Sequence, residues 1–243
     1  MKDFLQDLVA HTHSLGFLPL AKITASSTET IIESMAEDRS VIVNAKTHSP
    51  VKDVDGIFGM PNLNKLDLHL KCPEYKENAV IDIVKEERGG DKVATGLHFQ
   101  NATGDYENDY RFMSTAIINE KLKSVKFKGA KWDLEFTPSI ISIQRLKSQA
   151  AAHSEEVVFQ VRTEDNNLIF AFGDASTHEG HFVFQQNVTG KLKHTWSWPV
   201  TQVQAILGLT GDATIRISDV GAMQITVDSG ITEYNYILPA QVK

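Results

Sequence analysis

The sequence predicts an α+β protein built from two similar halves, each with two helices packed on antiparallel sheets. Three observations carry this. A few segments place apolar residues at helical spacing, while many more alternate apolar and polar residues as half-buried strands do. The order helix, strands, short helix, strands occurs twice along the chain. The 243 residues suffice for two ordinary domains of roughly 100–150 residues each.

Taken in order, Lys2 to Leu15 reads as an amphipathic helix. Phe4, Leu8 and Leu15 form one stripe, Lys2, Gln6, Ala10 and His13 the other, with Asp3 and Asp7 suited to its positive N-terminal end and Gly16 to its stop. Strands are expected over 17–24, 28–37 and 39–47, with turns at Ser26-Ser27 and Glu37-Asp38. A short helix is expected over about 55–64, although Gly59 and Pro61 weaken it. Leu66-Asp-Leu-His-Leu-Lys71 alternates and reads as a strand, as do 80–85, 93–99 and 110–113, with Gly89-Gly90 as a hairpin turn. Residues 116–131 read as an extended connector. A second helix follows, capped by Thr137 or Ser139 and running to His153. Ile140, Ile143, Leu146 and Ala150 are expected inward, Ser142, Arg145, Gln149 and Ala152 outward. Strands are expected over 156–163, 168–173, 181–188 and 192–198. The expected domains are 1–116 and 132–243, joined by a connector over 117–131.

Composition narrows the function. Hydrophobic content of 42% and charged content of 23% belong to an ordinary globular chain. No apolar run approaches the roughly 18 residues of a membrane span, so no membrane partner is expected. The acidic N-terminus does not read as a signal peptide, and the single Cys72 fits a reducing compartment, so the expected location is cytoplasmic. Asn101-Ala-Thr103 and Asn187-Val-Thr189 match glycosylation acceptors without a secretory signal to support them. The net charge of −7 argues against nucleic acid unless basic residues gather on one surface.

Several constellations were weighed for chemistry. Asp174, His178, Glu179 and His181 resemble metal ligands but lie in an expected turn, where the helical i, i+4 geometry of H-E-x-x-H is lacking. His11 and His13 point to different sides of a helix. There is no phosphate-cradling glycine loop, and Cys72 has no histidine near it in sequence. No catalytic residue, metal or cofactor is therefore expected. Trp196-Ser-Trp198 is compatible with stacking on sugars or bases, or with the core.

The last forty-odd residues set the functional reading. A short helix, Pro199-Val-Thr-Gln-Val-Gln-Ala-Ile-Leu-Gly208, precedes three strands: Ala213–Ser218, Met223–Asp228 and Tyr234-Asn-Tyr-Ile-Leu-Pro-Ala240. Tyr110-Arg-Phe-Met-Ser-Thr-Ala116 echoes the last of these, and Pro61 and Pro199 mark comparable points near each second helix. This pattern resembles the DNA polymerase sliding clamps. It is most like the trimeric clamps of T4-like bacteriophages, more distantly those of eukaryotes and archaea, and best from Trp132 to Ala240. The resemblance implies a non-enzymatic homotrimeric ring. It would encircle double-stranded DNA regardless of sequence, tether a DNA polymerase and be loaded by a clamp-loader ATPase, in a host cytoplasm if phage-encoded. It implies a partner-peptide pocket made by Ile237, Leu238, Pro239 and Ala240 with Leu122, Val125 and Phe127. It implies DNA-facing helix sides holding Lys2, Gln6 and His13, then Asn62, Asn64 and Lys65, then Ser142, Arg145 and Gln149, and finally Thr201, Gln202 and Gln204. Those sides lack acids, yet they are less basic than the family's. A β-rich structural or carbohydrate-binding phage protein is the alternative, and a hydrolase built on Asp174–His181 the third class.

Overall fold

The computed structural model describes residues 1–123, 127, 129–176 and 178–241, and only the backbone of Arg88 and Asp91. It forms two compact units, Met1–Val125 with Ser229–Tyr234, and Lys126–Asp228 with Asn235–Lys243.

The first unit opens with α1 (Lys2–His11), followed by β1 (Ala21–Ala25), β2 (Thr30–Met35), β3 (Ile42–Thr47) and β4 (Gly56–Met60). Next come α2 (Leu63–Lys71), β5 (Val80–Arg88), β6 (Asp91–Gln100), β7 (Glu107–Arg111) and α3 (Thr115–Lys121). The first four strands form an antiparallel sheet in the order β4-β1-β2-β3; the next three form a second, β5-β6-β7. Phe4, Leu5, Leu8 and Val9 bury one side of α1, which packs against α2.

Sequence patterning misleads most at α2. The alternation of Leu66, Leu68 and Leu70 reads as a strand, but Leu63, Leu66 and Leu70 also fall at helical spacing, and those are the buried residues; Leu68 is 67% exposed. The helix expected just upstream is instead the edge strand β4, and α2 starts only after Asn62, which holds a left-handed φ of 52°. The connector expected to be extended opens with the helix α3. Its Ile118 is fully buried against Gly59, where any added Cβ would lie 2.8 Å from the isoleucine Cδ1. Asp7, expected to serve the helix N-terminus, is buried.

The second unit holds β8 (Leu134–Phe136), α4 (Ile140–Ala152), β9 (Val158–Glu164), β10 (Asn167–Phe172), β11 (Gly180–Gln185) and β12 (Trp196–Pro199). It ends with α5 (Val200–Leu207), β13 (Asp212–Ser218), β14 (Ala222–Asp228) and, from Asn235 on, β15 (Thr232–Pro239), whose first three residues belong to the first unit. One sheet has the order β12-β9-β10-β11, the other β15-β14-β13-β8. Phe159, Phe170, Phe172 and Phe184 fill the space beneath α4, with the Phe170 and Phe184 rings stacked at 4.1 Å. Ser139 caps α4, its hydroxyl accepting from the Ser142 N–H at 3.0 Å. The buried face of α4 is not the one expected from its isoleucines. Ser142 and Leu146 are buried, the Ser142 hydroxyl donating to the Phe184 carbonyl at 2.6 Å, while Ile140 and Ile141 are 76% and 61% exposed. The short β8 carries too little periodicity to be found in sequence.

The two units repeat one plan. A helix leads into a four-stranded sheet ordered fourth, first, second, third; a second helix then leads into a three-stranded meander. Among the described residues, no helix is long and apolar enough to cross a membrane.

Candidate nucleic-acid interface

All eight residues expected to face DNA lie on the helices or on the short 3-10 turn that follows α1. In the first unit, Gln6, Asn64 and Lys65 are exposed. The Lys65 side chain makes no hydrogen bond or ion pair among the described residues, and its charge, after burial, helps hold the His69 imidazole below the ordinary histidine range. Lys2 differs. Its Nζ donates to the Tyr75 carbonyl at 2.6 Å and the Lys76 carbonyl at 2.9 Å, so its charge satisfies chain oxygens of this unit. Lys71 is paired with Asp67 at 2.6 Å along α2. His13 is half-buried beside a cavity of about 520 Å³, shared with Asn62, Asn64, Glu37 and Lys121. Lys121 was missed because its segment reads as a connector.

In the second unit α4 packs against α5, and neither helix contains an acid. Arg145 and Lys147 are exposed and unpaired among the described residues. Arg145 opens onto a shallow cavity of about 430 Å³ with Ile141, Gln144, Ser148 and Phe182. Gln149 also reaches that cavity but is half-buried, its carbonyl oxygen enclosed without a hydrogen-bond partner, so it is only partly a surface residue. Ser142, expected outward, belongs to the core. Gln202 is half-buried on α5, with Thr201 exposed beside it.

The expected peptide pocket needs redrawing. Ile237 and Leu238 are buried in β15, where the Leu238 carbonyl accepts the Trp198 indole N–H at 3.0 Å, so both are core residues. Pro239 is exposed and Ala240 half-buried; Leu122 and Phe127 are half-buried, the latter 5.9 Å from the Trp132 ring, and Val125 lies outside the described residues. The surface around Pro239 and Ala240 is completed by residues that sequence patterning did not single out for it. The Ala240 N–H donates to the Gly221 carbonyl at 2.8 Å, Val220 is 76% exposed, and the Trp196 ring lies so close over Gly221 that an added Cβ would stand 2.9 Å from it. Asp219 fixes this loop by accepting the Lys193 and His194 N–H groups at 2.8 and 3.1 Å. Burial pushes the Asp219 carboxyl up, but those donors and the nearby His194 outweigh it, leaving it below the ordinary range. Asp174, once weighed as a metal ligand, accepts the Ser176 N–H and hydroxyl in a local turn.

Comparison with solved structures decides the fold. A structure of A. fulgidus PCNA bound to the C-terminal region of FEN-1 matches with a TM-score of 0.68 at 12% identity, covering 100% of this chain and 95% of that one. The chain has the PCNA clamp fold. PCNA from Thermococcus kodakaraensis matches with a TM-score of 0.68 at 12% identity, covering 99% and 97%. Proliferating cellular nuclear antigen from Entamoeba histolytica matches with a TM-score of 0.67 at 10% identity, covering 99% and 94%. No family model matches the sequence. No curated protein matches it either.

Proposed function

We propose that this chain is the protomer of a DNA sliding clamp, a non-enzymatic homotrimeric ring that encircles duplex DNA and tethers a DNA polymerase. The observation that carries the reading is the PCNA clamp fold spanning the whole chain, combined with the exposed helix cations Lys65, Arg145 and Lys147, which have no acidic partner among the described residues. Lys65 on α2 and Arg145 and Lys147 on α4 are suited to weak, sequence-independent, salt-sensitive contact with phosphates. Gln6, Asn64 and Gln202 add polar contacts. A clamp-loader ATPase would place the ring on DNA, as for phage clamps of the T4 type, in the compartment where replication occurs. Residues 117–131 would connect domains 1–116 and 132–243, and partner peptides would dock at Trp196, Val220, Pro239 and Ala240.

The repeat supports a route to closure. Within the first unit, Thr232–Tyr234 lie along the outer side of β3, the third strand of its four-stranded sheet. The counterpart of β3 is β11, and the counterpart of β15 is β7; both are sheet edges among the described residues. Pairing β7 of one copy with β11 of the next would repeat the same joint and remove two exposed edges. Sedimentation at micromolar concentration is expected to give a species near three times 27.0 kDa, and electron micrographs a ring with a duplex-wide hole. A strict monomer with no ring would reject the proposal.

A further inference from the structure

We propose that Asp7, His11 and Tyr234 form a buried clasp that makes α1 and the segment Ser229–Tyr234 open and close as one unit. These residues lie together inside the first unit although Tyr234 is 227 positions from Asp7. The Asp7 side chain, on the inner face of α1, is buried. One carboxylate oxygen accepts the Tyr234 hydroxyl at 2.9 Å. The other lies 3.1 Å from His11 Nδ1. That nitrogen is also 2.9 Å from the Asp7 main-chain carbonyl; since a carbonyl can only accept, Nδ1 carries the proton. The Ser229 side chain lies near enough to the carboxylate to help lower its pKa, while its hydroxyl donates to the Thr232 carbonyl at 3.1 Å. The His11 and Tyr234 rings lie nearly parallel, 4.5 Å apart.

The segment at the other end of the clasp is itself tightly built. Ser229 Oγ accepts the Ile231 and Thr232 N–H groups, the Ser229 N–H donates to the Thr232 carbonyl at 3.1 Å, and His48 donates its N–H to the Ile231 carbonyl at 2.9 Å. Thr232 and Tyr234 are fully buried. Departure of this segment would strip a buried carboxylate of its Tyr234 donor and uncover the His11 ring. Fraying of α1 would in turn leave the Tyr234 hydroxyl without its acceptor. A buried charge held by donors from both segments is what couples them, because neither can leave without stranding a polar group of the other. The coupling holds whether or not the protein encircles DNA. If it does, the helix that presents Gln6 is locked by a residue 227 positions from Asp7.

Native-state hydrogen exchange on the full chain tests this. In Tyr234→Phe, which keeps the ring stack and loses only the hydroxyl, exchange is expected to rise at least tenfold both for the α1 amides and for residues 231–234. The amides of β9 and β10 are expected to keep their rates. Adding Asp7→Asn to Tyr234→Phe is expected to raise exchange by less than the product of the two single effects. Acceleration of one segment without the other, a multiplicative double variant, or a uniform rise through both units would each overturn the clasp. If Asp7→Asn alone fails to fold, His11→Gln in the Tyr234→Phe background supplies the second arm, with the same outcomes.

Discussion

Charge removal on the helices separates cations that can reach DNA from those the fold has already used. Lys65, Arg145 and Lys147 are exposed and unpaired among the described residues, whereas Lys2 caps the Tyr75 and Lys76 carbonyls. Each lysine or arginine seated on a phosphate contributes about 0.9 to the slope of log affinity against log salt. Neutralising all three to glutamine is therefore expected to flatten that slope by up to about 2.7 for each copy engaged. Between about 50 and 200 mM salt, that removes roughly a 40-fold share of the salt effect. Fluorescence anisotropy of a labelled duplex, titrated with salt, reads this directly, and two duplexes of unrelated sequence should give the same slope. Lys2→Met is expected to leave the slope alone and to lower stability by about 1 kcal/mol, through loss of two carbonyl partners. A triple variant with the wild-type slope, or a Lys2 variant that flattens it as much as Lys65→Gln, would refute this assignment of the interface.

Four further outcomes are expected. Val220→Asp and Pro239→Glu, both at exposed positions, are expected to weaken polymerase association at least tenfold with little change in melting temperature. Ile237→Asp, which buries a charge in β15, is expected to unfold the protein; an Ile237→Asp chain that melts normally and only loses the partner would restore Ile237 to the pocket. Leu146→Ala is expected to cost about 2–5 kcal/mol in urea denaturation, since Leu146 is fully buried on the inner side of α4. Stability is also expected to depend on Asp7 at acid pH. Burial pushes its carboxyl up, but hydrogen bonds from His11 and Tyr234, the nearby Ser229 hydroxyl and the charge of His11 outweigh it, so the folded carboxyl lies below the ordinary carboxylate range. A depressed carboxyl stabilises the fold above its unfolded pKa and loses that contribution as pH falls through the folded value. Urea midpoints measured from pH 6 down to pH 2 should therefore fall less steeply in Asp7→Asn than in the wild type; parallel curves would contradict the assignment.

Long apolar patterns made the architecture legible in the sequence. The faces of α1 and α5, most of the strands and the twofold repeat were all readable, because each buries a periodic stripe against a sheet. The failures have local causes. At α2, six alternating residues satisfied two periods at once, and only Leu63, outside that window, tips the balance to a helix. At α4, the buried Ser142 can enter the core because the Phe184 carbonyl accepts its hydroxyl, a partner 42 residues away that no local pattern reveals. Of the residues expected in a peptide pocket, Ile237 and Leu238 are buried, whereas Pro239 is exposed. Strand parity at Ile237 and Pro239 depends on pairing partners, and Trp196 and Val220 approach only through the Gly221 turn. The clasp was invisible for the same reason, since Asp7 alone looks like an ordinary acid of a first helix.

The net charge of −7 looked like an objection to DNA, and the side-chain partners now answer it one residue at a time. The helices α1, α2, α4 and α5 carry three acids, Asp3, Asp7 and Asp67. Asp7 is buried beneath hydrogen-bond donors, Asp67 is paired with Lys71, and Asp3 lies in the first turn of α1, where exposed N–H groups favour an anion. The same helices carry five cations, of which Lys2 and Lys71 are engaged and Lys65, Arg145 and Lys147 are not. The surface of α4 and α5 is therefore positive, and on α1 and α2 the exposed Lys65 is set against Asp3 alone, although the chain as a whole is negative. The remaining 28 acids lie outside these four helices, on sheets, loops and α3. A protein that had to touch a polyanion weakly with one surface, and avoid it with the rest, would need this partition and not a high overall basicity.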